Sequence, residues 1–203
     1  MQRRFLIALA GLVLATLSAC DKPTASGPAP LAFNGVDITG AEYARSLNLP
    51  DAQGQARSLA DFKGKVLVVF FGYTQCPDVC PTTLLELAQV KKALGADGAR
   101  VQGVFVTVDP ERDTPELLKA YVANFGADFV ALRGTPEQTK AAAKNFKVFY
   151  SKVPGKTETS YTVDHTAGSY VFDAKGKVRL FTRYGSGAEA LTSDLKILLA
   201  EKA

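Results

Sequence analysis

The sequence has few of the residues on which several classes of protein depend. Its 203 residues include one histidine, three cysteines and no tryptophan, and its formal net charge is only +4. No basic stripe is visible, so a nucleic-acid-binding role has no support. Hydrophobic residues make up 47% of the chain, which predicts one globular domain with a full core.

The first 19 residues have the pattern of an export signal. Arg3 and Arg4 form a positive end, and the apolar stretch 5–17 has the length of a signal h-region but is too short for a comfortable membrane span. The following Leu17-Ser18-Ala19-Cys20 resembles the lipobox of bacterial lipoproteins, which implies cleavage before Cys20 and acylation of that cysteine. The alternative is an ordinary secretory signal followed by a stray cysteine.

Residues 20–45 are predicted to be a flexible tether, and residues 46–203 a single domain. The stretch 21–31 is rich in Pro, Ala, Ser and Gly, a composition typical of linkers. Asp21 resembles the residue that retains many enterobacterial lipoproteins in the inner membrane. These features predict a domain that is anchored by lipid on Cys20 at the periplasmic face of the inner (cytoplasmic) membrane.

Apolar runs and helical spacings alternate along the domain. Residues 66–71 are apolar at every position, which is typical of a strand buried on both faces. Further strands are predicted at 101–108, 129–132, 169–173 and 177–183, with short extended segments at 46–49 and 147–152. Helices are predicted after residue 80, from Pro115, from Pro136 and around Leu195. A parallel βαβ start, an antiparallel hairpin and a terminal helix form the order of a thioredoxin-like α/β fold.

Cys76 and Cys80 lie where the first buried strand leads into a helix. Backbone N–H groups and the helix dipole at such a position favour thiolates. A disulfide over three intervening residues would constrain little of the unfolded chain, so we interpret the pair as reactive or metal-binding. Thioredoxin-type sites have two residues between the cysteines. The wider spacing here permits disulfide closure and also lets two thiolates chelate one soft ion.

The only histidine, His165, precedes the strand predicted at 169–173. A lone histidine is usually a surface hydrogen-bonding residue. In a thioredoxin-like layout, however, the loop before this strand packs against the active-site cysteines, so the imidazole is expected near Cys76 and Cys80. Two thiolates favour Cu(I), and an added imidazole can also hold Cu(II). A structural zinc site would more often recruit a fourth protein ligand, and the chain has no further histidine to supply it.

Three motifs, in this order, resemble the Sco (SenC) family, whose members help to assemble cytochrome c oxidase. They are Cys76-Pro77-Asp78-Val79-Cys80-Pro81 after a Phe-Phe-Gly-Tyr-Thr strand end, Val108-Asp109-Pro110-Glu111-Arg112-Asp113-Thr114-Pro115, and Val163-Asp164-His165-Thr166. The resemblance covers about residues 45–200.

The resemblance implies that Cys76, Cys80 and His165 are the ligands of a copper ion. It also implies a function, which is to metallate the dinuclear copper centre of an oxidase subunit. The implied partners are that copper-bearing subunit and other periplasmic copper chaperones or thiol reductants. A metallochaperone is therefore favoured over an enzyme.

Two other functions use the same thiols. A thiol-disulfide reductase would use Cys76 and Cys80 as a redox-active pair to keep the cysteines of the oxidase subunit reduced, and it would tolerate loss of His165. The two roles are compatible, because the thiols must be reduced before they can hold copper. A peroxidase is disfavoured. Val69 and Tyr73 stand where peroxiredoxin-like sites have Pro and Thr or Ser, and the chain has no tryptophan.

Several residues flank the predicted site. Asp78 and Asp164 are interpreted as solvated loop acids or helix caps, with the alternative that one of them orients His165. The stretch 109–116 could dock a partner, although helix capping by Thr114 already explains part of it. Tyr73 is predicted to shield the site as a packed aromatic side chain.

Overall fold

The fold is organised around a strand over residues 66–72 that is buried along its whole length. A computed structural model describes residues 32–157 and 160–201. In chain order the strands are β1 (Val36–Asp37), β2 (Asn48–Pro50), β3 (Ala56–Ser58), β4 (Val66–Gly72), β5 (Val101–Thr107), β6 (Val130–Leu132), β7 (Tyr150–Pro154), β8 (Tyr161–His165), β9 (Gly168–Phe172) and β10 (Val178–Arg183). The helices are α1 (Val79–Ala93), α2 (Pro115–Ala123), α3 (Pro136–Phe146) and α4 (Ala188–Ala200).

Six strands form a mixed central sheet in the order β1-β10-β9-β4-β5-β6. β4, β5 and β6 pair in parallel, whereas β9 pairs antiparallel with both β4 and β10. Every residue of β4 and β5 is buried, as expected for parallel strands covered on both faces. The predicted thioredoxin-like order is thus confirmed.

The predicted helix starts at Thr114 and Thr135 are also confirmed. The Thr114 hydroxyl accepts a hydrogen bond from the Leu117 N–H, and Thr135 and Gln138 form the reciprocal bonds of a capping box. Each threonine is followed by a proline at the first helical position, where a missing N–H costs nothing. Within the described part of the chain, none of the helices has the length and apolar character needed to cross a bilayer.

The tether predicted over residues 20–45 ends too late in the chain, because residues before 46 already contact the folded domain. Val36 and Asp37 pair with β10, and the Ala44 N–H donates to Asn145 O at 2.8 Å. Two-residue β1 joins the sheet through its backbone while both its side chains stay exposed, so it leaves no hydrophobic pattern in the sequence. The earlier part of the predicted tether, up to residue 31, lies outside the described residues, as does the predicted signal segment.

The second difference concerns the segment that carries His165. The sequence predicts a loop up to this residue, but Tyr161–His165 forms β8, which pairs antiparallel with β7 in a separate two-stranded sheet. Both strands expose most of their side chains, and their mixed polar composition lacks the alternation that marks a half-buried strand. His165 is therefore the last residue of a strand.

Candidate metal centre

The cysteines are presented by the turn between β4 and α1. After Gly72 the chain turns tightly, and the Cys76 N–H donates to Tyr73 O at 3.3 Å. Cys80 is the second residue of α1 and is fully buried, whereas Cys76 is partly exposed. Only one of the two sulfurs is thus directly accessible from outside.

Gly72 makes room for the buried sulfur. A Cβ atom built at this position would lie 2.7 Å from Cys80 Sγ and 2.9 Å from the ring atoms of Phe70 and Phe105. Real Cβ atoms do not come this close to neighbouring atoms, so any larger residue at position 72 would displace the thiol or the two rings packed against it. The glycine that ends the strand is therefore part of how the site is built.

His165 reaches the cysteines from the end of β8. Its Nε2 lies 3.4 Å from Cys80 Sγ, and its Nδ1 lies 3.2 Å from Thr166 O. A carbonyl oxygen can only accept, so we assign the ring hydrogen to Nδ1 in the neutral imidazole. This tautomer leaves the Nε2 lone pair facing the sulfurs, where it can bind a metal.

Aromatic side chains enclose the imidazole. The ring centroids of Phe70 and Tyr73 lie 5.8 and 6.0 Å from that of His165, and both contacts are edge-on. Tyr73 is buried, as predicted for a shielding aromatic residue. These rings restrict water around the inner part of the site.

The sulfur atoms of Cys76 and Cys80 and a ring nitrogen of His165 lie within 4.8 Å of one another. No second group of three or more potential ligands among His, Cys, Asp and Glu occurs in residues 32–157 and 160–201. Two sulfurs and one imidazole are a soft donor set, which fits copper. The predicted site residues of the domain are thus brought together, while Cys20 lies outside the described residues.

The two thiols have opposite protonation tendencies. The hydrogen bond from the Cys80 side chain, assisted by the backbone N–H groups of Asp78 and Cys80, lowers the pKa of Cys76 to about 3. The same contact with Cys76, together with burial, raises the pKa of Cys80. A thiolate is thus favoured at Cys76, mainly by the Cys80 side chain and less by the N–H groups of the helix N-terminus, and disfavoured at Cys80.

Asp78 and Asp164 do not orient the imidazole. Both side chains are exposed, and the His165 Nδ1 hydrogen is directed to a backbone carbonyl instead. Asp78 occupies the N-cap position of α1 without making a side-chain cap bond, and it accepts a hydrogen bond from Tyr184 at 3.4 Å. Their interpretation as peripheral acids agrees with the structure.

Sequence reasoning missed the buried acids of the loop after β5. Asp109 and Asp113 are 1% and 0% exposed. Asp113 accepts hydrogen bonds from the Thr74 N–H at 3.1 Å, from the Thr74 hydroxyl at 2.6 Å and from the Thr107 hydroxyl. The signal in the sequence was a charged run directly after a largely apolar strand, which brings those charges to the edge of the core.

Comparison with known proteins agrees with this geometry. The SCO1/SenC family model matches residues 37–200. The chain belongs to the SCO1/SenC family. The SCO2-like protein of Rickettsia felis, a similar relative, is 35% identical over 166 residues, which cover 81% of this chain and 78% of the relative.

Solved SCO1/SenC structures share the fold. A copper-bound structure of Bradyrhizobium japonicum ScoI has 38% sequence identity to this chain and a TM-score of 0.68. The match covers 75% of this chain and 97% of the ScoI chain. The solution structures of the apo Sco1 protein from Thermus thermophilus also have 38% sequence identity to this chain, with a TM-score of 0.74. This match covers 84% of this chain and 99% of the Sco1 chain.

Proposed function

We propose that this SCO1/SenC protein is a copper chaperone. It binds copper through Cys76, Cys80 and His165 and delivers it to, or helps to assemble, the dinuclear copper centre of cytochrome c oxidase. The observation that carries the proposal is the convergence of two sulfurs and one ring nitrogen within 4.8 Å. The copper-bound relative from B. japonicum supports the choice of metal.

The protonation states of the site support reversible binding. Cys76 offers an accessible thiolate as the first ligand, because its pKa is lowered to about 3. Cys80, whose pKa is raised, must release its proton to become the second thiolate ligand. Two thiolates suffice for Cu(I), whereas the imidazole is the donor that adds stability to Cu(II). Copper is the cargo in this scheme.

The test is a titration of the reduced protein, from residue 24 onward, with Cu(I) and with Cu(II). We expect one copper per domain, and we expect His165→Ala to lose Cu(II) binding while it retains Cu(I) binding. Asp164→Asn is the matched control, since this exposed neighbour of His165 makes no contact with the imidazole nitrogens. Unchanged Cu(II) affinity in His165→Ala would overturn the proposal.

We further propose that lipid on Cys20 anchors the domain at the periplasmic face of the inner membrane. There it would meet the copper-bearing subunit of the oxidase and other periplasmic copper chaperones or thiol reductants. The lipobox-like Leu17-Ser18-Ala19-Cys20 supports the anchor. Nucleic acid is not among the proposed partners, because the net charge is small and no basic stripe is present.

A second candidate function is thiol-disulfide reduction of the oxidase subunit. It is favoured by the pairing of an accessible, low-pKa Cys76 with a protonated, buried Cys80, an arrangement that suits attack by one thiol and resolution by the other. Cys80→Ala should then trap a mixed disulfide between Cys76 and the partner. If neither this variant nor Cys76→Ala traps a complex, the reductase role fails.

A further inference from the structure

The strands that carry His165 are not part of the central sheet. β7 and β8, here called the histidine hairpin, pair only with each other among the described strands. The backbone ladder nearest to the imidazole is the one between β4 and β9, which pairs Phe70 with Ser169, four residues after His165. The histidine hairpin itself lies outside that ladder, and side chains join it to the rest of the domain.

Arg112 makes the most extensive of these connections. Its Nη1 donates to Tyr161 O at 2.8 Å, and its guanidinium carbon lies 3.5 Å from the centroid of the Tyr161 ring. Its Nε donates to Asp109, whose other carboxylate oxygen accepts a hydrogen bond from the Tyr161 hydroxyl at 2.8 Å. Arg112, Asp109 and Tyr161 thus form a closed ring of contacts at the first residue of β8.

The same guanidinium also reaches the cysteine turn. Nη1 lies 3.1 Å from Oε1 of Gln75, the residue before Cys76, and the guanidinium carbon lies 5.7 Å from the centroid of the Tyr73 ring. Nη2 is buried and has no hydrogen-bond partner within the described residues, so Nε, Nη1 and the stacked ring hold the group. One side chain therefore touches both halves of the candidate metal centre.

Burial makes these contacts strong. The Arg112 side chain is 17% exposed and the Asp109 side chain 1% exposed, so the ion pair is largely shielded from water. Tyr161 and His165 are the two ends of one extended strand. Because a paired strand resists bending, fixing Tyr161 restricts where the imidazole can lie.

We propose that Arg112 is a positioning residue for His165. It clamps the histidine hairpin against the cysteine turn and so holds the ring nitrogen at metal-binding distance from the sulfurs. The proposal rests on the proposed copper-binding function and adds to it the device that sets the ligand geometry. It also gives the loop at 109–113 an internal role in place of partner docking.

Arg112→Lys is the informative substitution. Lysine keeps the positive charge beside Asp109, but it lacks the planar fork that bonds Asp109 and Tyr161 together while stacking on the ring. Arg57→Lys is the matched control, since Arg57 likewise pairs with a buried aspartate, Asp51, and a glutamine, Gln55. If Arg112→Lys fails to unfold cooperatively in urea, Tyr161→Leu serves in its place, because it removes the ring and hydroxyl but leaves Arg112 paired with Asp109.

The first measurement needs no metal. His165 is the only histidine, so its ring protons give unambiguous NMR signals in the reduced, metal-free protein. In the wild type and Arg57→Lys we expect nuclear Overhauser contacts from this ring to Phe70 and Tyr73. Arg112→Lys and Tyr161→Leu should weaken these contacts, and their full retention would overturn the proposal.

The second measurement is copper affinity. Arg112→Lys should lose about 10-fold to 100-fold in Cu(II) affinity, the usual effect of removing a residue that orients a ligand, and should leave Cu(I) affinity unchanged. An equally large loss of Cu(I) affinity would show that Arg112 acts on the cysteines and not through the imidazole.

The two measurements separate failure of this proposal from failure of the copper function. If Arg112→Lys retains both the NMR contacts and the Cu(II) affinity while His165→Ala loses that affinity, the positioning role is wrong and the copper function stands. If His165→Ala leaves Cu(II) affinity unchanged, the copper function fails, and the NMR contacts still decide whether Arg112 positions the imidazole.

Discussion

At the scale of single residues, Cys76 and Cys80 lie only four positions apart in the chain, yet the pKa of one thiol is lowered and that of the other is raised. Cys76 receives hydrogen bonds from the Cys80 side chain and from backbone N–H groups at the start of α1, which stabilise its thiolate. Cys80 is buried next to that thiolate and faces His165 Nε2, so its own proton is retained and shared between two acceptors. The pair is therefore best described as one anion and one donor.

This asymmetry predicts an unusual pH profile of alkylation. Thiolates react with iodoacetamide and thiols do not, and the pKa of Cys76 is lowered to about 3. Its rate in the reduced, metal-free protein should stay nearly constant between pH 8 and pH 5, where an ordinary thiol with a pKa of about 8.5 slows on the order of a thousandfold. Labelling followed by mass spectrometry measures the rate.

The Cys80→Ala variant is the control for the cause. It removes the side-chain donor that is the largest contribution to the lowered pKa of Cys76, so its alkylation should become pH-dependent in this range. A wild-type rate that falls tenfold per pH unit below pH 8 would contradict the assigned thiolate.

At the scale of elements, the cysteine turn is tied to the end of β5 by Asp113. This buried carboxylate joins Thr74 in the turn to Thr107 in the strand through three hydrogen bonds. Burial raises the pKa of Asp113, and the hydrogen bonds from the two threonines oppose that shift by favouring the charged form. The turn is thus held by a network as well as by the helix that follows it.

Asp113→Ala should loosen the turn as well as destabilise the protein. Loss of the carboxylate leaves buried donors unpaired, and one such donor alone costs about 1–3 kcal/mol of unfolding free energy, measurable by urea denaturation. We also expect weaker Cu(I) binding, because Cys76 is no longer held beside Cys80.

Asp194→Ala is the matched control for this experiment. Asp194 is another buried carboxylate with three hydrogen bonds, but its donors belong to Asn34 and Gly35. It should lower the free energy of unfolding by a similar amount and leave Cu(I) affinity unchanged. Equal Cu(I) affinities in the two folded variants would show that Asp113 has a purely structural role.

At the scale of the whole molecule, we propose that Cys20, which precedes the domain in the chain, decides where the domain lies in the cell. If Cys20 carries lipid, Cys20→Ser should lose labelling by a radioactive fatty acid and move from the membrane fraction to the soluble fraction. The candidate copper ligands are Cys76, Cys80 and His165, so copper binding should be unchanged. A Cys20→Ser protein that is still labelled or still sediments with membranes would contradict the lipid anchor.

Much of the fold could be predicted from local patterns. The strand at 66–72 is apolar at every position, and the helices after Thr114 and Thr135 carry their own start signals. β8 could not be predicted in this way, because its residues are mostly exposed and its stability comes from pairing with β7. β1 could not be predicted either, because its side chains are exposed and it joins the sheet through backbone bonds alone.

The candidate site, like the fold, has features that could be predicted from the sequence and features that could not. The donor set follows from residue types alone, because Cys76, Cys80 and His165 are the only cysteines and histidine of the domain, and residue type limits which metals a site can hold. Folding settles the rest: Nε2 faces the sulfurs, the pKa of one thiol is lowered while that of the other is raised, and Arg112 and Asp113 contact the cysteine turn. These properties depend on distances and burial between segments far apart in the chain, which no local pattern encodes.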